Sequence, residues 1–187
     1  MKEAIFLDFD GVLFDTVKEV YCVSMIAFGR ATTISDVAFG TQHFHLFNQF
    51  RFLIGSAWNY YFLMGIIDEK VKNPELDVRE MFLSDLENHN RDEYGFFEEN
   101  FFRTRKHLKE TDYKDWIFLS HPYPIVADIR MLLKNHQESI YFITTRDRES
   151  VVHLLKAYEV EFVEDQVFSK EDLGHKKSKK DLIKEII

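Results

Sequence analysis

Cysteine is almost absent from this chain, with Cys22 the only one in 187 residues. No disulfide can close within it, so the composition fits a reducing compartment and predicts a cytoplasmic protein. A surplus of positive charge is lacking too. Lysine and arginine number 24 against 32 aspartates and glutamates, a net charge of -8 that argues against nucleic acid as a general partner. A long apolar run is also missing. The nearest candidate, Phe52 to Ile67, has 16 uncharged residues and contains Ser56 and Asn59, short of the roughly 20 that a membrane helix needs, so it reads as a buried helix and no membrane partner is expected. The apolar start of the chain is broken by Asp8 and Asp10 too early for a secretory signal. Proline stands at only three positions, 74, 122 and 124, and these mark the two clearest breaks in the helical pattern.

At 45% hydrophobic residues, the chain can bury a core and hold one domain plus an insertion. The stretch Ala4 to Thr16, AIFLDFDGVLFDT, opens on an apolar run that reads as a strand buried on both faces. The run breaks at Asp8-Phe9-Asp10-Gly11. Two carboxylates in alternate positions at a strand end project the same way, and Gly11 allows a sharp turn and a close approach to a ligand. Like charges so placed call for a divalent cation or a shifted pKa.

This stretch resembles the first motif of the haloacid dehalogenase-like (HAD) hydrolases: an apolar strand, Asp-x-Asp-Gly, two apolar residues, then a polar residue and Thr or Ser. The match runs without a gap from Ile5 to Thr16. The resemblance implies that Asp8 attacks a phosphoryl group to form an aspartyl-phosphate. It implies that Asp10 protonates the leaving group and then takes a proton from water. Mg²⁺ is the implied cofactor, held by Asp8 and by the backbone carbonyl of Asp10. An acid at position 10 also argues for a phosphatase over a true dehalogenase.

Between Val17 and Ser120 helical periodicity dominates, and the span holds 13 of the 19 phenylalanines, so it needs a core of its own. Thr16 and Glu19 have the spacing of a capping box at its start. From Thr41 to Gly65 one long or two shorter helices are expected, with Phe47, Phe50, Ile54, Trp58 and Tyr61 as the inner stripe. In HAD terms such an insertion directly after the first strand resembles a C1 cap, a helical lid, which suggests a closed site and a small substrate. His43 and His45, two apart, point to different helix faces and read as polar helix-start residues in preference to a metal pair. Arg51 reads as surface-facing or ion-paired.

After the second break a helix over 125–136 leads to a buried strand, Ile140 to Ile143, that ends in Thr144-Thr145-Arg146. A strand ending in Thr resembles the second HAD motif, in which that hydroxyl grips the phosphoryl oxygens. Thr144 is the first choice for this role, with Thr145 as backbone donor or helix cap, and Arg146-Asp147 reads as an ordinary helix-start pair. A helix over 147–158 and short strands at 160–163 and 166–169 complete an order that predicts a parallel, doubly wound sheet with its site at the carboxyl ends of the strands. The cluster 175–180, HKKSKK, precedes a helix expected from Asp181 to Ile187. The third HAD motif is a lysine near a helix start, and Lys179 fits because Leu182 and Ile183, three and four residues on, would anchor its helix to the sheet; Lys177 and Lys180 stay open.

The fourth motif, an acidic strand end that completes the Mg²⁺ site, should follow that helix, but the sequence stops at Ile187. The expectation is that the C-terminal part of the core is missing and that the source reading frame continues into an apolar run followed by Asp. Without that strand, Ile5 and Leu7 should lie on an exposed sheet edge. Taken together, the sequence predicts an α/β protein: a doubly wound, HAD-like core from residues 1–16 and 121–187 with an all-helical cap over 17–120. It predicts an enzyme that hydrolyses small phosphomonoesters, with Asp8 and Asp10 catalytic and Thr144, Thr145 and Lys179 binding phosphate; the alternatives are an inactive HAD-like binding module or truncated fragment, and a phosphotransferase or mutase on the same scaffold.

Overall fold

The computed structural model describes residues 4–136, 139–173 and 178–186. The chain divides into two compact units, one of Met1–Thr16 with Ser120–Ile187 and one of Val17–Leu119.

The first unit begins with strand β1 (Ile5–Leu7). After it the chain turns tightly: the Phe9 carbonyl accepts from the amides of Leu13 at 3.0 Å and Phe14 at 3.1 Å. Gly11 takes φ +77°, the left-handed region open to glycine at no steric cost. Strand β2 (Phe14–Asp15) follows, and the helical unit begins two residues later.

Six helices build that second unit: α1 (Val17–Ala27), α2 (Gln42–Phe50), α3 (Tyr60–Lys72), α4 (Val78–Asn88), α5 (Arg91–Thr111) and α6 (Tyr113–Phe118). Caps set several of the starts. Thr41 accepts from the Phe44 amide before α2, Asp77 from Arg79 and Glu80 before α4, and Asn90 from Asp92 and Glu93 before α5. The Thr41–Gly65 stretch is two helices. Ser56 and Asn59 form a capping box between them and reset the helical phase. The inner stripe expected across that break therefore fails beyond Phe47: Tyr60 is buried, whereas Trp58 and Tyr61 are only partly so. Phe47, Tyr60 and Phe101 stack in series, with ring centroids 5.7 and 5.5 Å apart.

A charged network crosses this aromatic core. Glu19, fully buried, accepts from Arg105 Nε at 2.8 Å, Arg105 Nη2 at 3.1 Å and Trp116 Nε1 at 3.0 Å. It joins α1, α5 and α6, and the Arg105 guanidinium also lies 4.7 Å from the Phe101 ring centroid. A second polar cluster is half-buried. His43 meets Tyr21 Oη at 3.2 Å through Nδ1, and meets both Arg30 Nη1 and Asp68 Oδ1 at 3.0 Å through Nε2. Arg30 holds Asp68 with both nitrogens. Burial pushes His43 below its ordinary pKa, assisted by the Arg30 charge and opposed by Asp68. His45 is exposed, on a different face from His43. Burial pushes the Cys22 thiol up to about 12, so it acts as a small core residue.

The chain re-enters the first unit through β3 (His121–Pro122), which pairs antiparallel with β2, Phe14 opposite Pro122 and Asp15 opposite His121. Then come α7 (Ile125–His136), β4 (Ile140–Ile143), α8 (Arg148–Ala157), β5 (Val167–Phe168), α9 (Lys170–Leu173) and α10 (Lys179–Ile186). No strand forms at 160–163.

Strands β1, β4 and β5 make a three-stranded parallel sheet in that order, with Leu7 opposite Phe142 and Ile143 opposite Phe168. Phe6, Tyr141, Ile143 and Phe168 share one face by register. On it Ile143 clusters with Leu173 and Leu182, with Phe6, Phe168, Ile183 and Ile186 packed around them. On the other face Ile140, Phe142 and Val167 are fully buried. β1 is the edge among the described strands. It is not buried on both faces as its apolar run suggested, since Ile5 is 41% exposed and Leu7 partly buried. An apolar run reports the environment above and below a strand, not the lack of a lateral neighbour.

Removing one partner of the buried Glu19–Arg105 pair strands the other charge, so Glu19→Gln or Arg105→Met should each cost about 3–5 kcal/mol in urea unfolding. The double variant Glu19→Leu with Arg105→Met should recover much of that loss. For His43, the unfolded chain binds the proton at a higher pH than the folded one, so the stability margin over a His43→Gln variant should shrink as pH falls through 6.5 and below. Urea midpoints of both proteins at pH 7.5 and 5.5 check this; a constant difference would refute it.

Candidate functional site

In a parallel sheet the carboxyl ends of the strands lie along one edge, where loops can converge. Asp8 follows β1 directly and Thr144 follows β4 directly, and the register that sets Leu7 opposite Phe142 places both residues at that edge. The Asp8 carboxylate is held from two sides. Its Oδ1 accepts from the Phe9 amide at 2.8 Å, and its Oδ2 lies 2.6 Å from Lys179 Nζ.

Lys179 arrives there through local structure at the far end of the sequence. Ser178 caps α10, its Oγ accepting from the Asp181 amide at 3.2 Å, while Asp181 Oδ2 accepts from the Ser178 amide at 3.1 Å and from Ser178 Oγ at 2.6 Å. The helix therefore starts at Lys179, two residues before the expected Asp181. Leu182, Ile183 and Ile186 then seat it on the sheet. A lysine in the first turn sits against the positive end of the helix dipole, and the Asp8 carboxylate offsets that repulsion. Lys180 is exposed, and Lys177 lies outside the described residues.

Asp10 has its own cation. Arg146 Nη1 donates to Asp10 Oδ1 at 2.8 Å, with the arginine side chain 1% exposed and the aspartate 22%. The expectation that Arg146 and Asp147 form a helix-start pair holds for one of them. Asp147 caps α8 through the Ser150 amide, whereas Arg146 turns inward. No local pattern separates these two outcomes, since the Asp10 partner of Arg146 lies 136 positions away.

Thr144 is buried, and its Oγ1 accepts from the Arg146 amide at 3.1 Å. A hydroxyl that accepts one bond still has its own hydrogen to donate. The Thr144 amide donates to the Phe168 carbonyl at 2.9 Å, so its backbone is committed to the sheet. Thr145 is exposed and does not cap α8, a role taken by Asp147. The structure thus joins Asp8 to Lys179 directly, and ties Asp10 and Thr144 together through Arg146.

Among the described residues no three His, Cys, Asp or Glu side chains gather as a metal cluster. The oxygen donors here are nonetheless of the kind Mg²⁺ takes, since that ion is commonly held by one or two carboxylates together with waters and substrate phosphate. Asp8, part-exposed, has that character. The chain matches no family model, no curated protein and no solved structure.

Proposed function

We propose that this protein is a Mg²⁺-dependent phosphohydrolase of the HAD type, acting on a small phosphomonoester through an aspartyl-phosphate, with a doubly wound core and the helical unit as its C1 cap. The observation that carries this reading is the 2.6 Å contact between Asp8 and Lys179, residues from opposite ends of the chain that an anion-handling site would need together. A carboxylate cannot approach a phosphoryl group unless positive charge offsets their repulsion. Lys179 supplies one such charge beside the nucleophile.

In the first half-reaction an Asp8 oxygen bonds to phosphorus as the bond to the leaving oxygen breaks, and Asp10 passes its proton to that oxygen, releasing an alcohol. In the second, water attacks phosphorus, Asp10 takes the water proton, and the Asp8–phosphorus bond breaks to release phosphate. Thr144 would donate its hydroxyl hydrogen to a phosphoryl oxygen, with Thr145 exposed beside it. Mg²⁺, held by the Asp8 carboxylate and the Asp10 carbonyl, would supply further neutralisation of phosphate charge.

Purified protein with Mg²⁺ should release phosphate from a panel of small phosphomonoesters. Asp8→Asn should lower kcat at least about 10³-fold, and Lys179→Met about 10²-fold or more, with thermal melting nearly unchanged because both side chains are partly exposed. Binding of inorganic phosphate with no turnover on any ester would refute the enzyme reading.

A further inference from the structure

We infer that Arg146 is the positioning residue that sets the Asp10 carboxyl group for proton transfer, a role that rests on the phosphatase reading above. The Arg146 backbone is fixed at both polar groups: its amide donates to Thr144 Oγ1 at 3.1 Å, and its carbonyl accepts from the Lys170 amide at 3.0 Å. Its side chain is buried to 1% exposure and reaches Asp10 at 2.8 Å. Burying a guanidinium is costly unless its partner is well placed, so this arginine is a poor candidate for general stabilisation at an exposed loop.

Asp10 needs such a partner. It sits between a fully buried Phe9 and a glycine at φ +77°, where the chain is turning and the carboxylate is only partly buried. A proton donor works only with its heavy atoms within hydrogen-bond reach of the reacting oxygen. The Nη1–Oδ1 bond holds the Asp10 carboxylate from a buried side chain whose backbone is fixed at both ends, whereas the flexible stem of a lysine at the same place would hold it less firmly. Through its amide on Thr144, Arg146 also ties that direction to a second residue of the proposed phosphate site.

The consequence is a dependence on the leaving group. 4-Nitrophenolate is a weak base and departs without a proton, whereas phenolate, a stronger base, needs one. Kinetics with Mg²⁺ on 4-nitrophenyl phosphate and on phenyl phosphate therefore read the positioning of the acid. Because Asp10 also serves the hydrolysis of the common aspartyl-phosphate, the reading is taken from kcat/KM, which covers only the steps through formation of that intermediate: Arg146→Gln should lower kcat/KM on phenyl phosphate about 10²-fold and on 4-nitrophenyl phosphate less than about 10-fold, the selective pattern also expected for Asp10→Asn. The double variant should be no slower on phenyl phosphate than Asp10→Asn alone, because the two residues act as one unit. Should Arg146→Gln fail to fold, Arg146→Lys keeps the buried charge and should show the same selective loss, about 10-fold on phenyl phosphate. Equal losses of kcat/KM on both esters, or losses that add in the double variant, would overturn the role while leaving the phosphatase reading intact. A wild-type protein that hydrolyses neither ester would overturn the reading and this role with it.

Discussion

Parallel pairing of β1 with β4 is the constraint from which the geometry of the candidate site follows. It holds residues 5–7 against 140–142 across more than a hundred intervening residues, and it points both chains toward the same sheet edge. An antiparallel pairing of the same strands would send Asp8 and Thr144 to opposite ends. Because β5 extends the sheet in the same sense, the Thr144 amide finds the Phe168 carbonyl, and the loop carrying Arg146 is tied to the turn that leads into α9. Asp10, placed by the tight turn after β1, lies within reach of that loop.

The two carboxylates of this edge are treated differently. Asp8 keeps a part-exposed partner, Lys179, and an ion pair with that much solvent around it contributes less than about 1 kcal/mol to folding. Since a lysine in the first turn of a helix also works against the helix dipole, stability gives little reason for it to stand there. Asp10 is paired with a buried guanidinium, an arrangement in which direction is fixed and water is largely kept away from one partner. One acid is therefore accessible and neutralised, the other oriented. This is the division of labour that nucleophile and proton carrier require in the proposed reaction.

How far the sequence reveals this depends on the range of the forces involved. Lys179 was legible because a local rule, apolar residues three and four positions on, decides which face of α10 meets the sheet. Residues 125–136 and 140–143 were legible for the same reason, since their periodicity is uninterrupted and their flanks are marked by proline or by polar residues. Arg146 was not, because its inward turn is rewarded by Asp10, a residue far away in the sequence. The Glu19–Arg105–Trp116 network hides in the same way. Glu19 has the spacing of a helix cap and Arg105 sits among the charges of a long polar helix, and only the packing of α1 on α5, with the bond from Trp116 to Glu19, shows them buried. The phase reset at Ser56 completes the pattern, since it depends on something that the hydrophobic period does not carry, whereas the edge position of β1 was expected from the lack of a following acidic strand.

The insertion itself obeys a closure condition. A helical unit of this length can interrupt a parallel sheet only if the chain leaves and returns at neighbouring points, for otherwise its closure entropy would be set against the short β1–β4 pairing. Two local contacts meet that condition. The β2–β3 ribbon joins Phe14–Asp15 to His121–Pro122 in the first unit, and the Leu13 carbonyl accepts from the Tyr123 amide at 2.8 Å beside it. In the helical unit Glu19, three residues into its first helix by chain order, bonds Trp116 near its last. Each unit thus closes its own ends, so the register that places Asp8, Asp10 and Thr144 does not have to bear the cost of bringing the ends of the helical unit together.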